Sequence, residues 1–568
     1  MAGRKALVVG SGAGGATAAM VLAEAGYDVV VFEKGDNWFD DLTKAAPTSR
    51  FSSDELKAAR GFAQPDPVAE PRTYRWHGSD TEPRHVGPVQ DLPQTVGGAT
   101  VHWDAKTPRF WDIDFDKLSL LGPIPGADVV DWPFSYDEIA PVYDEVEALI
   151  GVAGDISAIA AEPTLRHAPR SRALPMPAGP PQLASLLASE GCRQLDPALH
   201  PFLVPMAINS AEFDGRPACN NCGQCSGYGC PILARVGALA PLRRAVEAGA
   251  EVRERSWVVK VDTSGRRATG VTWIDDRGRA HRESGDLVVL ACLAIETVRL
   301  AKLSELPDPH GTIGTHFMQH WFTDATGIFL DQRLHGHRGR SSTHVADDFA
   351  DPDFPGARAA AGAAGLPYFR GGTLELGGTQ FPLGEANTYR FLLGLLRPDK
   401  PFGTEFKELM RSSVLRDRMC GIQMIGEDLP YRDNTVDLDP TVKDYRGYPV
   451  ARITYSPRPH ELAAQEFYLP YIAEILRRAG AGHVTAVPDA ESDATPLAGN
   501  RVPTTAHIMG GMRMGTDPTV SATDVEGRFH QLDNLFVADG SVFPTSGAHN
   551  PTLTIMATAL RNARLWAH

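Results

Sequence analysis

The stretch KALVVGSGAGGATAAMVLAEAGYDVVVFEKG, Lys5 to Gly35, restricts what this chain can become more than any other. Ala6 to Val9 form a short unbroken apolar run, as suits a strand buried on both faces. Gly10, Gly12 and Gly15 follow in the spacing G-x-G-x-x-G. Glycines there permit a tight turn and let the backbone approach a pyrophosphate at a helix N-terminus. A helical pattern runs on through Ala25, Gly26 ends it, and DVVVFEK reads as a second strand closed by Glu33. An acid at that point accepts the hydroxyls of an adenosine ribose and repels a 2′-phosphate. Strand, glycines, helix, strand and acid in this order predict a dinucleotide-binding α/β unit, with FAD and NAD both open. The competing reading is a glycine-rich βα turn without a ligand.

At 568 residues the chain is too long for one ordinary domain, so at least two lobes are expected. Hydrophobic residues at 43% and charged residues at 22% are globular values. A net charge of −15 repels phosphate backbones and anionic lipid, which argues against nucleic acid or a membrane surface as partner. No apolar run is long enough to span a bilayer. MAGRKALVVG runs straight into the first strand without a signal peptide, so the expected location is cytoplasmic, with export on a partner subunit left open.

Three further segments separate the cofactors. TVGGATVHWDAKTPRF, from Thr95, holds the pair Gly97–Gly98 followed by His102 and Trp103. VVLACLAIETVRLAKLS, from Val288, reads as a buried strand turning into a helix, and NLFVADGSVFPTSGAHNPTLTIMATALRNARL runs from Asn534 to Leu565. In this order the pieces resemble the glucose–methanol–choline (GMC) family of FAD oxidoreductases. Within it the chain looks most like bacterial gluconate and glucose dehydrogenase flavoprotein subunits and pyranose or glycoside oxidases. The resemblance implies an α/β fold in which a Rossmann-like FAD domain is interleaved with an α+β substrate domain, as in p-hydroxybenzoate hydroxylase. The FAD domain would take 1–112, 213–318 and 497–568, and the substrate domain 113–212 and 319–496. GARAAAGAAGLPYFRGG, Gly356 to Gly372, reads either as a mobile loop over the substrate entrance or as an inert surface insertion.

The same resemblance implies oxidation of a hydroxyl of a sugar, glycoside or sugar acid to a carbonyl. It places the proton acceptor at His507, which opens HIMGGMRMG, and its hydrogen-bonding companion at Asn550. A histidine that titrates near neutrality suits removal of a hydroxyl proton as hydride leaves. Asn550 before Pro551 also reads as a helix N-cap, with Leu553, Met556, Ala557 and Leu560 as the apolar face. His549 departs from the family pattern and is a candidate additional active-site residue. Asp539 and Gly540 fall where the family contacts flavin, as do Gly97, Gly98 and Trp103. His102 is a candidate for covalent FAD attachment; a packing or flavin-edge contact is the alternative.

Four of the seven cysteines stand as C-x2-C-x2-C-x4-C-P at Cys219, Cys222, Cys225 and Cys230. This is one residue away from an iron–sulfur spacing. An iron–sulfur cluster, a structural zinc and a metal-free loop are the three readings. A cluster would imply an electron-relaying dehydrogenase; without one the acceptor would be oxygen, a quinone or a redox protein. HFMQH places His316 and His320 four apart, a metal-binding spacing if the segment is helical. A non-redox lyase of the same family, and a steroid or long-chain alcohol substrate, stand as rivals.

Overall fold

The expected strand–turn–helix–strand unit forms at Lys5–Val9, Ala13–Glu24 and Asp28–Phe32. It belongs to a computed structural model that describes residues 3–50, 65–87, 89–90, 93–159, 163–225, 227–378, 397, 399, 401–487 and 505–568. The two strands sit in a five-stranded, all-parallel sheet. Its order is Leu535–Val537, Leu287–Leu290, Lys5–Val9, Asp28–Phe32, Glu251–Arg253. Ala6, Leu7, Val8, Val288, Val289 and Leu290 have no exposed surface, because helices cover both faces of a parallel sheet. The helix Ala13–Glu24 packs between the helices Leu239–Glu247 and Thr552–Trp566. Its N-terminal end lies close on the turn before it: a Cβ on Gly15 would lie 2.0 Å from the Gly10 carbonyl oxygen.

A second, six-stranded sheet has the order His483–Val487, Trp321–Ile328, Met419–Gly426, Leu374–Leu376, His344–Ala346, Phe202–Leu203, antiparallel at every pairing. Strand alternation divides its side chains between two faces. Ala325, Leu374, Leu376, Ile422 and Met424 join a hydrophobic cluster with Tyr468, Ile472, Ile475 and Leu476 of the helix Pro459–Arg478. Phe322, Glu375, Gln423 and Ile425 face the other way and line a cavity. The register sets Glu375 against Gln423 and Phe322 against Ile425, so the lining side chains are cross-strand neighbours.

A four-stranded sheet joins Thr435–Lys443 and Pro449–Thr454 to Arg72–Arg75 and His85–Gly87. It ties together stretches that the expected lobe boundaries assign to different domains. The segment 356–372 does not line the cavity described below; its first half lies largely at the surface and its second half is buried. It forms the helix Ala357–Ala363 and then buries Tyr368, Phe369 and Arg370. Arg370 pairs with Asp114 at 2.6 Å and Glu427 at 2.8 Å, all three side chains fully enclosed. Among the described residues no helix is long and apolar enough to cross a membrane.

Candidate active site

One continuous cavity runs between the two sheets, lined by Gly10, Gly12, Gly14 and Glu33 at one end and by Glu375, Gln423, His507 and Asn550 at the other. The first end is mostly backbone. Gly12 precedes the helix Ala13–Glu24 without a side-chain cap, so the cavity meets the helix N-terminus, where anions are favoured. Substitution would close this cradle: a Cβ on Gly14 would lie 1.4 Å from the Ala538 carbonyl oxygen, and one on Gly98 2.7 Å from Gly12 Cα. Ser11 Oγ donates to Glu33 at 2.6 Å and accepts from Gly97 N at 3.1 Å, which joins the two glycine turns. Glu33 also accepts from Gly35 N at 2.9 Å; burial pushes its carboxyl up, against these donors. The backbone cradle and the acid beyond it suit the diphosphate and ribose of a dinucleotide.

Midway, the wall is made by Ala291, Cys292 and Leu293, and by Asp539 and Gly540. Leu293 sits at φ 77°, left-handed backbone that costs a residue with a side chain about 1–2 kcal/mol. The neighbouring turn is tied down by Thr297, whose Oγ1 accepts from Cys292 N at 3.0 Å and donates to Asp539 at 2.5 Å. Asp539 also accepts from Ser541 N at 2.9 Å; burial raises its carboxyl despite these donors.

At the far end, Asn550 Nδ2 lies 3.3 Å from His507 Nε2 and 3.0 Å from Glu375 Oε1. The carboxylate accepts only, so it decides which way the Asn550 amide points. Asn550 Oδ1 is buried without a partner. Glu375 Oε2 in turn accepts from Lys106 at 2.5 Å, and Lys106 reaches Asp104 at 3.0 Å. Burial opposes the charge on Lys106, but the two carboxylates outweigh it and hold its ammonium above the ordinary value. The Phe322 ring stands edge-on to His507 with centroids 5.5 Å apart.

The structure thus brings Gly10, Gly12, Glu33, Gly98, Trp103, His507, Asp539, Gly540 and Asn550 to one cavity. Gly15 and Gly97 support its turns from behind. His102 has no exposed surface, and its carbonyl accepts from Gly227 N at 3.2 Å. It does not itself line the cavity, although Thr100 and Trp103 on either side of it do. His549 is also fully buried away from the cavity, 3.6 Å from Asp347 and packed on Trp111 with ring centroids 5.0 Å apart. Asn550 is not a helix cap: the helix starts at Thr552, and Pro551 precedes it. Its amide is drawn to Glu375 instead.

His316 and His320 flank the strand Met318–Gln319, not a helical turn, so their spacing does not bring them to one face. His316 reaches Asp128 and His320 reaches His507, each at 2.9 Å. Cys219, Cys222, Cys225 and Cys230 form no disulfide, and Arg235 ties their loop to Val101 by donating to the carbonyls of Cys225 and Val101. Among the described residues no three His, Cys, Asp or Glu side chains are arranged to hold a metal ion. Sequence reasoning passed over Lys106 and Glu375, and it singled out His320 only as a possible metal ligand. Glu375 had a legible signal, an acid flanked by Leu374 and Leu376 in a strand whose leucines must face the core.

Two family models described as GMC oxidoreductase match residues 130–322 and 430–559, and an NAD(P)-binding Rossmann-like domain matches 8–39. The 2-methyl-1,2-propanediol dehydrogenase of Mycolicibacterium austroafricanum is 29% identical over 98% of this chain and 93% of its own. The gluconate 2-dehydrogenase flavoprotein of Pantoea cypripedii is 27% identical over 98% of this chain and 92% of its own. The 6'''-hydroxyparomomycin C oxidase of Streptomyces lividus is 29% identical over 98% of this chain and 90% of its own. Among solved structures, pyridoxine 4-oxidase from Mesorbium loti superposes with a TM-score of 0.63 at 16% identity, covering 99% of both chains. A formate oxidase gives a TM-score of 0.65 at 14% identity, covering 100% of this chain and 98% of its own.

Proposed function

The chain belongs to the GMC oxidoreductase family, and we propose that this member oxidises a hydroxyl of a sugar, glycoside or sugar acid to a carbonyl, with His507 as proton acceptor. FAD, the cofactor that the family and the Rossmann-like fold imply, supplies the acceptor for the hydride. Gly10, Gly12, Gly14 and Glu33 would hold its nucleotide part, and Asp539, Gly540 and the start of the helix Thr552–Trp566 would face the rest. The observation that carries the reading is the His507–Asn550 pair, 3.3 Å apart, on the wall of that same cavity.

In this reading the substrate hydroxyl gives its proton to His507 Nε2, so an O–H bond breaks as an N–H bond forms. Asn550, with its amide oriented by Glu375, holds the substrate oxygen beside that nitrogen. Phe322 and Trp103 exclude water from part of the wall, while Asp104, Lys106, Glu375 and Gln423 offer polar partners around it. Such a wall favours a substrate with several hydroxyls over a steroid or long alkyl chain, whose burial against charges costs energy. The gluconate dehydrogenase among the relatives points the same way. An iron–sulfur or zinc reading of the four-cysteine loop has no comparable observation behind it. Iron and zinc analysis of the purified protein tests it directly.

The decisive measurement is anaerobic flavin reduction by a panel of sugars, glycosides, sugar acids, long-chain alcohols and steroids. Replacing His507 by Ala should slow reduction by about 10²–10⁴-fold, the usual worth of a general base, with FAD content unchanged. Undiminished reduction would remove His507 from the role. Reduction by the steroid or alkyl alcohols alone would overturn the substrate class.

A further inference from the structure

An imidazole can take a proton at Nε2 only if that nitrogen carries none beforehand, and which nitrogen is bare depends on what the other one meets. Behind His507 stands His320, with the two Nδ1 atoms 2.9 Å apart and the rings nearly perpendicular, at 85°. Backbone geometry fixes this approach. Met318–Gln319 pairs antiparallel with Ile508–Met509, and His320 N donates to the His507 carbonyl at 3.1 Å.

The hydrogens can then be placed by elimination. His320 Nε2 lies 3.2 Å from the Ser546 carbonyl oxygen, which only accepts, so Nε2 carries a hydrogen. His320 is 2% exposed, and burial lowers its pKa to about 4, so the ring is neutral at neutral pH. Its Nδ1 is therefore a bare acceptor, and the hydrogen in the 2.9 Å contact belongs to His507 Nδ1. A neutral His507 with a hydrogen on Nδ1 has a bare Nε2, which is the nitrogen beside Asn550 Nδ2 at the cavity wall.

We propose that His320 is a positioning residue that holds His507 in the tautomer with a bare Nε2 and steadies the imidazolium formed when that nitrogen takes the substrate proton. This rests on the reading of His507 as proton acceptor. The transferred proton stays on Nε2, and Nδ1–H continues to donate to His320. Two other titratable groups bear on His320: His549 disfavours and Glu427 favours charge there. Glu427 is committed to Lys117 and Arg370. On the far side of His507 stand the Phe322 ring and Asn550, with Glu375 beyond.

The test uses the FAD-loaded enzyme with His320→Leu, which removes the acceptor, and His320→Asn, whose Oδ1 can replace Nδ1. Nitrogen-15 NMR of histidine-labelled protein should show His507 protonated at Nδ1 and bare at Nε2 in the parent, and a tautomer mixture in His320→Leu. That variant should lose about 10²-fold in kcat/KM, within the range of general-base effects, with the acid limb of its pH profile moved to lower pH. His320→Asn should recover to within about tenfold of the parent, as an acceptor regained at the same site predicts. A hydrogen on Nε2 of His507 in the unsubstituted protein would overturn the proposal without any variant. So would His320→Leu with the parent's acid limb, or His320→Asn as slow as His320→Leu when both bind FAD. A His507→Ala enzyme reducing at the parent rate would instead defeat the underlying assignment of the base.

Discussion

At its glycine end the cavity wall is backbone drawn from two turns, Gly10–Gly14 and Gly97–Gly98, within one hundred residues. At its hydroxyl end the wall is side chains in mutual contact, Lys106 to Glu375, Glu375 to Asn550, Asn550 to His507, His507 to His320. The first kind of wall has no room for added atoms at Gly14 or Gly98 and depends little on partners. The second kind can change shape but leaves a buried charge or donor stranded whenever one member is removed.

The difference is sharpest at Lys106. Lys106→Met strands Glu375, whose side chain is 9% exposed, beside Asp104, and should cost about 3–5 kcal/mol. The double variant Lys106→Met/Glu375→Leu should be less damaging than the single. Urea unfolding measures both, and a single-variant loss below ~1 kcal/mol would place this pair with exposed ion pairs and erase the contrast. Next comes the glycine end. Gly14→Ala drives a Cβ into the Ala538 carbonyl and should cost about 1–3 kcal/mol or more. Gly12→Ala, whose Cβ meets nothing nearer than 3.9 Å, should spare stability and lower FAD content instead. Equal unfolding midpoints for the two would show that the wall yields.

A third effect appears only at acid pH. Burial lowers His316, His320 and His344 to about 4, below the ~6.5 of an unfolded chain. Each contributes stability that is fully present above about pH 6.5 and drains away as the pH falls toward 4. The melting temperature should therefore decline across that window, and His320→Asn should flatten the decline. An unchanged slope would mean that His320 is not held neutral by burial.

Legibility in the sequence follows the same division. The glycine end could be read from Lys5–Gly35 because its strand, turn, helix and acid follow one another along the chain, although Gly10 and Gly14 pack on the distant residues Ala291 and Ala538. His507 and Asn550 were reachable only through resemblance, since nothing near either one announces the other, and 550 − 507 = 43 positions separate them. His320 was noticed for a helical spacing that does not exist: His316 sits in left-handed backbone at φ 58°, and the chain enters a strand. Its partner is set by the cross-strand register, which no local window contains. Asn550 looked like a cap because Asn–Pro often is one; a carboxylate from residue 375 competed for the amide and won. His549, the conspicuous neighbour, went to the core against Trp111.

The parallel sheet takes its strands from residues 5–9, 28–32, 251–253, 287–290 and 535–537. On a ribosome, the first glycine turn emerges hundreds of residues before the strand and helix that finish its sheet. Synthesis proceeds at about 5–20 residues per second, so that turn waits on the order of half a minute or longer for its partners. Strands 5–9 and 28–32 gain their outer neighbours when 287–290 and 251–253 emerge, and from then on it is the strand 287–290 that lacks a neighbour on one edge. One edge of the growing sheet thus stays open until the last segment arrives, and the yield of folded protein is expected to respond to chaperone supply and translation speed.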